Sequence, residues 1–99
     1  MQQINVSLIS QSPEENPQQF EVEVLDDNKS KVIHQVTVSK EYYQRLTGGL
    51  KSMEELIRSS FEFLLERESK ESILSKFDLT SIQKYFPEYE KVISMSLAK

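Results

Sequence analysis

Apolar and polar residues alternate in three segments near the start of the chain, at 4–8, 20–24 and 31–38. A period of two is typical of β-strands that bury one face. The turn-forming sequence DDNKS separates the second and third segments and predicts a hairpin. We therefore expect an antiparallel sheet of three strands with one apolar side.

A longer pattern follows at 52–67, where apolar residues recur at the three- and four-residue spacing of an α-helix. Ser52 is a suitable N-cap, and Glu55 stands at the third helical position of a capping box. Phe63 falls beside Leu56 on the helical wheel and widens the apolar arc to roughly 200°, which is more than one sheet covers. This helix is therefore predicted to need a second covering layer.

Shorter helices are predicted on either side of the long one. Ser39 can cap a short helix that ends near Leu46, where the only two glycines of the chain follow. The segment 68–99 carries many apolar side chains, which predicts short helices packed on the long helix. The predicted fold is one α+β domain spanning 1–99. It has a small antiparallel three-stranded sheet, covered by one long helix and short C-terminal helices.

Composition and charge limit the chemistry of this 99-residue chain. It has no cysteine, which excludes thiol catalysis and thiolate metal sites. The formal net charge of -4 disfavours DNA as a partner, although a local basic patch in the middle of the chain leaves DNA open. The first ten residues lack the pattern of a signal peptide, and no apolar stretch has the length of a membrane span. We expect a cytoplasmic protein without membrane contact, and its oligomeric state stays open.

Candidate catalytic residues are few. His34 is the only histidine, and it lies among valines on the apolar face of the third predicted strand, where a buried, hydrogen-bonded imidazole is common. Glu66 and Lys70 have the spacing of a helix-surface ion pair, and other carboxylate pairs also fall where solvent is expected. We predict no catalytic residue, no cofactor and no metal site, and therefore not an enzyme. A small hydrolase that uses His34 is the third hypothesis.

Aromatic residues in the second half of the chain are candidates for a protein-binding surface. Phe63, Tyr85 and Tyr89 are the residues predicted to contact a partner, because aromatic side chains often anchor interfaces. Core packing is the favoured interpretation of the aromatic cluster, since a small domain needs these large side chains to bury enough area.

The sequence HQVTVSKEYYQRLTGGLKSMEELIRSSFEFLLERE, at 34–68, resembles the ribbon-helix-helix family of bacterial repressors and antitoxins. The resemblance implies a dimer whose paired ribbons read the major groove of DNA. On this sequence it places Lys31, Gln35 and Thr37 on the reading face, and the helix start near Ser52 against phosphate.

Residues 61–90, FEFLLERESKESILSKFDLTSIQKYFPEYE, are similar to a family of short uncharacterised bacterial proteins. That resemblance implies no catalytic residues, and it implies that the long helix and the C-terminal segment fold as one unit. Our leading hypothesis is a non-enzymatic module that binds another macromolecule, most plausibly a protein. The alternative is a DNA-binding transcriptional regulator or antitoxin of the ribbon-helix-helix type.

Overall fold

The computed structural model describes residues 2–12 and 14–97. Within these residues, four strands and four helices follow one another. They are β1 (Gln3–Leu8), β2 (Gln18–Leu25), β3 (Lys31–Val38), α1 (Lys40–Thr47), α2 (Met53–Leu65), β4 (Lys76–Asp78), α3 (Thr80–Tyr85) and α4 (Tyr89–Leu97).

The sheet has four strands in the order β1-β2-β3-β4. β1 pairs with β2, and β2 with β3, in antiparallel orientation, whereas β4 runs parallel to β3 and pairs Phe77 with Val36. The prediction of an antiparallel three-stranded sheet was therefore wrong, because the chain returns after α2 to add a fourth, parallel strand. β4 has only three residues, too few to display a strand period on their own.

The described residues form four helices, the long α2 and the shorter α1, α3 and α4. The predicted start of α2 is confirmed, since the Ser52 side chain accepts from the backbone N–H of Glu55 and the capping box is complete. α2 ends at Leu65, two residues before the predicted end. There the Arg67 side chain donates to the carbonyl oxygen of Phe63 at 3.0 Å and lies over the Phe63 ring.

The core lies on one face of the sheet. Phe20, Val22 and Val24 of β2 are buried on this face, beside buried residues of β3. The α2 residues Leu56 and Ile57 are fully buried as well. The opposite sheet face carries mostly polar side chains, which are exposed or partly exposed.

The remaining apolar arc of α2 packs on the C-terminal helices. The ring of Phe63 lies 5.4 Å from that of Tyr89, and the Ser60 hydroxyl is 2.6 Å from the Tyr89 hydroxyl. Glu90 accepts a hydrogen bond from the Tyr42 hydroxyl at 2.9 Å, which ties α4 to α1. The chain after Leu65 thus forms the second layer that was predicted to cover the wide apolar face of α2.

The capping of α2 yields a stability prediction. Ser52→Ala removes the acceptor of the Glu55 N–H, so we expect the free energy of unfolding to fall by about 1 kcal/mol. Urea denaturation followed by circular dichroism measures the change. Ser96→Ala is the matched control, because Ser96 is an exposed helical serine without a side-chain hydrogen bond among the described residues. An equal effect of both substitutions would contradict the capping role.

Candidate functional site

An apolar groove opens between the end of α2, strand β4 and helix α3. We call it the β4–α3 groove, and its volume is about 390 Å³. That volume lies within the range of pockets that hold ligands or partner side chains. Its lining consists of Leu64, Glu68, Ser72, Ile73, Leu74, Phe77, Ser81, Ile82, Tyr85 and Phe86.

The floor and the rim of the β4–α3 groove differ in exposure. Ile73 and Ile82 belong to the buried core, and Phe77 packs against that core. Tyr85 and Leu74 stand at the rim with exposed fractions of 69% and 53%. Burial of these exposed apolar side chains by a partner would lower the free energy of the system. Such a patch is therefore a candidate binding surface.

Hydrogen bonds to β3 hold the wall of the groove in place. The Nδ1 atom of His34 lies 2.8 Å from the carbonyl oxygen of Leu74. The backbone N–H of Gln35 donates to Ser75 at 2.7 Å, and that of Leu79 donates to Thr37 at 3.0 Å. These hydrogen bonds hold both ends of the segment 74–79 against β3, which is an interior strand of the sheet.

His34 is a structural residue in this arrangement. Because a carbonyl oxygen only accepts, the bond to Leu74 places the proton on Nδ1. Nε2 has no hydrogen-bond partner among the described residues, and the ring lies 5.3 Å from that of Phe61. A general base must reach a hydroxyl or a substrate proton. His34 is fully buried outside the lining of the groove, so this geometry gives it no such reach.

Lys70 connects the chain just before Leu74 to the turn between β2 and β3. Its ammonium group donates to Asp26 at 2.7 Å and to Glu71 at 2.8 Å, while its side chain is only 6% exposed. The bond from Lys70, supported by the Ser30 N–H, lowers the pKa of Asp26, and Lys70 likewise lowers the pKa of Glu71. The same two carboxylates raise the pKa of Lys70. The predicted surface pair of Lys70 with Glu66 is absent from the ion pairs of the described residues, because α2 ends before Lys70.

The three aromatic residues proposed to contact a partner lie in different environments. Tyr85 stands at the rim of the β4–α3 groove. Phe63 and Tyr89 are buried, with exposed fractions of 3% and 0%, so they do not present their rings at the surface. Burial also raises the pKa of the Tyr89 hydroxyl. Leu74 and Phe77 were not predicted as groove residues, because the segment around them was predicted to be helical.

The residues proposed to contact DNA do not form one surface. Lys31, Gln35 and Thr37 lie on the polar face of the sheet, where Lys31 is 3.8 Å from Glu23 and Thr37 donates to Asp78 at 2.6 Å. Ser52 caps α2 in the helical layer. β3 pairs with β2 on one side and with β4 at 35–37 on the other. A strand paired on both sides has no free edge there for a ribbon from a second chain.

Within 2–12 and 14–97, no cluster of three or more His, Cys, Asp or Glu side chains could hold a metal ion. Among the helices of those residues, none is long and apolar enough to span a bilayer.

Comparison with protein-family models, curated proteins and solved structures finds no match to this chain. The resemblances drawn from 34–68 and 61–90 therefore stay predictions.

The Lys70 ion pairs predict a pH dependence of stability. A carboxylate whose pKa is lowered in the folded state stabilises the fold above its ordinary pKa, and that contribution is lost as the pH falls through the folded value. We expect stability to decline below about pH 4 as Asp26 and Glu71 become protonated.

Urea midpoints measured from neutral to acidic pH test this expectation. Lys70→Met removes the ammonium group, so the acid-dependent loss of stability should be smaller than in the unmodified protein. Lys84→Met is the control, because Lys84 is exposed and makes no ion pair among the described residues. An unchanged pH profile in Lys70→Met would contradict the role of these ion pairs.

Proposed function

We propose that the protein is a non-enzymatic protein-interaction module whose β4–α3 groove receives apolar side chains of a protein partner. The observation that carries this proposal is the exposure of Tyr85 and Leu74 above a floor continuous with the core. Interface hot spots commonly have this form, with an aromatic anchor beside a well-packed apolar pocket.

The fixed shape of the groove supports binding. Association is costly when side chains and loops must be ordered at the interface. Here β3 already holds the backbone on either side of the rim, through the bonds of His34 to Leu74 and of Thr37 to Leu79. Lys70 anchors the preceding turn to Asp26. A partner would therefore meet a surface ordered before binding.

The chemistry of the lining supports binding over catalysis. Glu68 and Tyr85 are its ionisable residues, and Ser72 and Ser81 supply its hydroxyls. Nucleophilic catalysis needs a base within hydrogen-bond reach of a nucleophile, and no hydrogen bond among the described residues joins Glu68 to either serine. An apolar groove with scattered polar atoms is suited to recognition by shape and burial.

Site-specific photo-crosslinking tests the proposal directly. The photoreactive residue benzoylphenylalanine, which is close to tyrosine in shape, replaces Tyr85 in cells that produce the protein. We expect a discrete protein adduct after irradiation, because the rim side chain would lie in the interface. The same substitution at Leu50 is the matched control, since Leu50 is 77% exposed but does not line the groove.

A second substitution tests whether the adduct depends on the groove. Leu74→Asp places a charge at the rim, and it should weaken binding of the cross-linked protein about tenfold or more. Leu50→Asp should leave the affinity unchanged. Thermal unfolding of both variants shows whether the fold is retained. Equal adducts from positions 85 and 50, or an affinity insensitive to Leu74→Asp in a folded protein, would refute the proposal.

A further inference from the structure

β1 is an edge strand with an open side. Among the described residues it pairs with β2 alone, since the sheet order is β1-β2-β3-β4. One position beyond the last pair of the β1–β2 ladder, Leu8 with Phe20, the backbone N–H of Ile9 donates to the carbonyl oxygen of Gln19, so the backbone of Ile9 faces β2. Hydrogen-bonded positions alternate along an antiparallel ladder, so the backbone groups of Gln3, Asn5 and Ser7 face β2. Those of Ile4, Val6 and Leu8 face outward.

This edge lacks two of the features with which proteins usually prevent strand addition, namely charge and proline. Edge strands are commonly protected by charged side chains, proline, bulges or a covering element. β1 contains neither a charge nor a proline, and residues 1–13 include no Asp, Glu, Lys or Arg. Leu8 and Ile9 expose 54% and 39% of their surface at its end. The occupant that fits open backbone donors and acceptors is another extended strand.

We propose that β1 pairs with β1 of a second copy of this chain, in an antiparallel arrangement about a two-fold axis at Val6. This arrangement sets Ile4 opposite Leu8 of the second copy, Val6 opposite Val6, and Leu8 opposite Ile4. Each outward-facing residue then exchanges two hydrogen bonds with its counterpart, and the pairing supplies about six hydrogen bonds. The two four-stranded sheets become one continuous sheet.

In this register, each side chain of β1 lies opposite a side chain of similar polarity in the second copy. Ile4, Val6 and Leu8 point to the helical side of the sheet, as their alignment with Val24, Val22 and Phe20 requires. Their counterparts across the axis are apolar as well, so the exposed Leu8 gains an apolar neighbour. On the polar face, Asn5 lies opposite Ser7 of the second copy, and both residues are exposed and uncharged. Because apolar residues face apolar residues and uncharged polar residues face each other, a second copy fits this strand better than an unrelated strand does.

Charge repulsion does not prevent the pairing. Each chain carries a net charge of -4, but none of that charge lies in β1. Exposed charges farther apart than about 8–10 Å are largely screened at physiological salt. A strand pair of this length buries less than the roughly 1,200 Å² of a standard interface, so the dimer is expected to be weak and concentration-dependent.

Sedimentation velocity over micromolar to millimolar concentrations measures this equilibrium. We expect the apparent mass to rise from that of the 11.6 kDa chain toward twice that value. Val6→Pro removes the outward N–H at the axis without removing a bond to β2, and it should raise the dissociation constant about tenfold or more. Amide hydrogen exchange should show concentration-dependent protection at Ile4, Val6 and Leu8 of the unmodified protein.

A charge-swap pair keeps the proposal testable if Val6→Pro disturbs the fold. One variant carries Asn5→Lys and Ser7→Lys, and the other carries Asn5→Glu and Ser7→Glu. Because Asn5 and Ser7 also lie opposite Glu23 and Glu21 of β2, thermal unfolding of each variant checks that the fold is retained. Each variant alone should dimerise more weakly, because like charges face each other across the axis. Mixing the two variants should restore the dimer, with opposite charges in register.

Three results would overturn the proposal: a monomer at all concentrations, a dimer unaffected by both charge variants, or a mixture that fails to recover association. Tyr85→Ser separates this proposal from the groove, since it should leave the dissociation constant of the dimer unchanged while weakening the proposed partner binding.

Discussion

The width of the apolar arc on α2 is the constraint on which the rest of the fold depends. A sheet can cover one side of a helix, and Ile57 and Phe61 are buried on the side that meets the sheet layer. Phe63 lies on the other flank and would remain in water without a further element. The chain must therefore turn back after Leu65 and bring Tyr89 and its helix against that flank.

This return path explains why three polar contacts occur where they do. Arg67 fixes the end of α2 by donating to the Phe63 carbonyl, and it also lies 3.4 Å from Glu88 at the start of the last helix. Lys70 holds the next turn against Asp26, and His34 holds Leu74 against β3. Each contact fixes one step of a long connection that would otherwise cost conformational entropy to order. The β4–α3 groove is the gap that this connection leaves between its own side chains and the end of α2.

The features that were predictable from the sequence depend on residues close together in the chain. The Ser52 cap of α2 and the Gly48 end of α1 are confirmed, because a cap is defined within one helical turn. The β2–β3 hairpin follows from alternation and a turn sequence. β4 was not predicted, because three residues acquire strand geometry only by pairing with β3, about forty positions earlier. The alternation of Phe77 with its polar neighbours was the available signal, but it is too short to distinguish a strand from other structures.

The candidate site was predictable only in part for a related reason. Tyr85 and Tyr89 are four residues apart, and on a continuous helix they would share a face. The helix instead breaks between them, since α3 ends at Tyr85 and α4 begins at Tyr89. One ring therefore stays at the surface and the other enters the core. The sequence predicts an aromatic cluster, but the break in the helix at Pro87 determines that Tyr85, and not Tyr89, is exposed.

The two proposed surfaces lie at opposite edges of the sheet, and this placement has a consequence for binding. Pairing through β1 leaves β4 and its groove free on each copy, because β2 and β3 separate the two edges. At the usual strand spacing, the β4 strands of a paired dimer would be roughly 34 Å apart. A partner carrying two binding segments gains from avidity only if its linker spans that distance. The paired dimer would therefore favour partners in which such a linker joins two binding segments, whereas the monomer would bind one segment at a time.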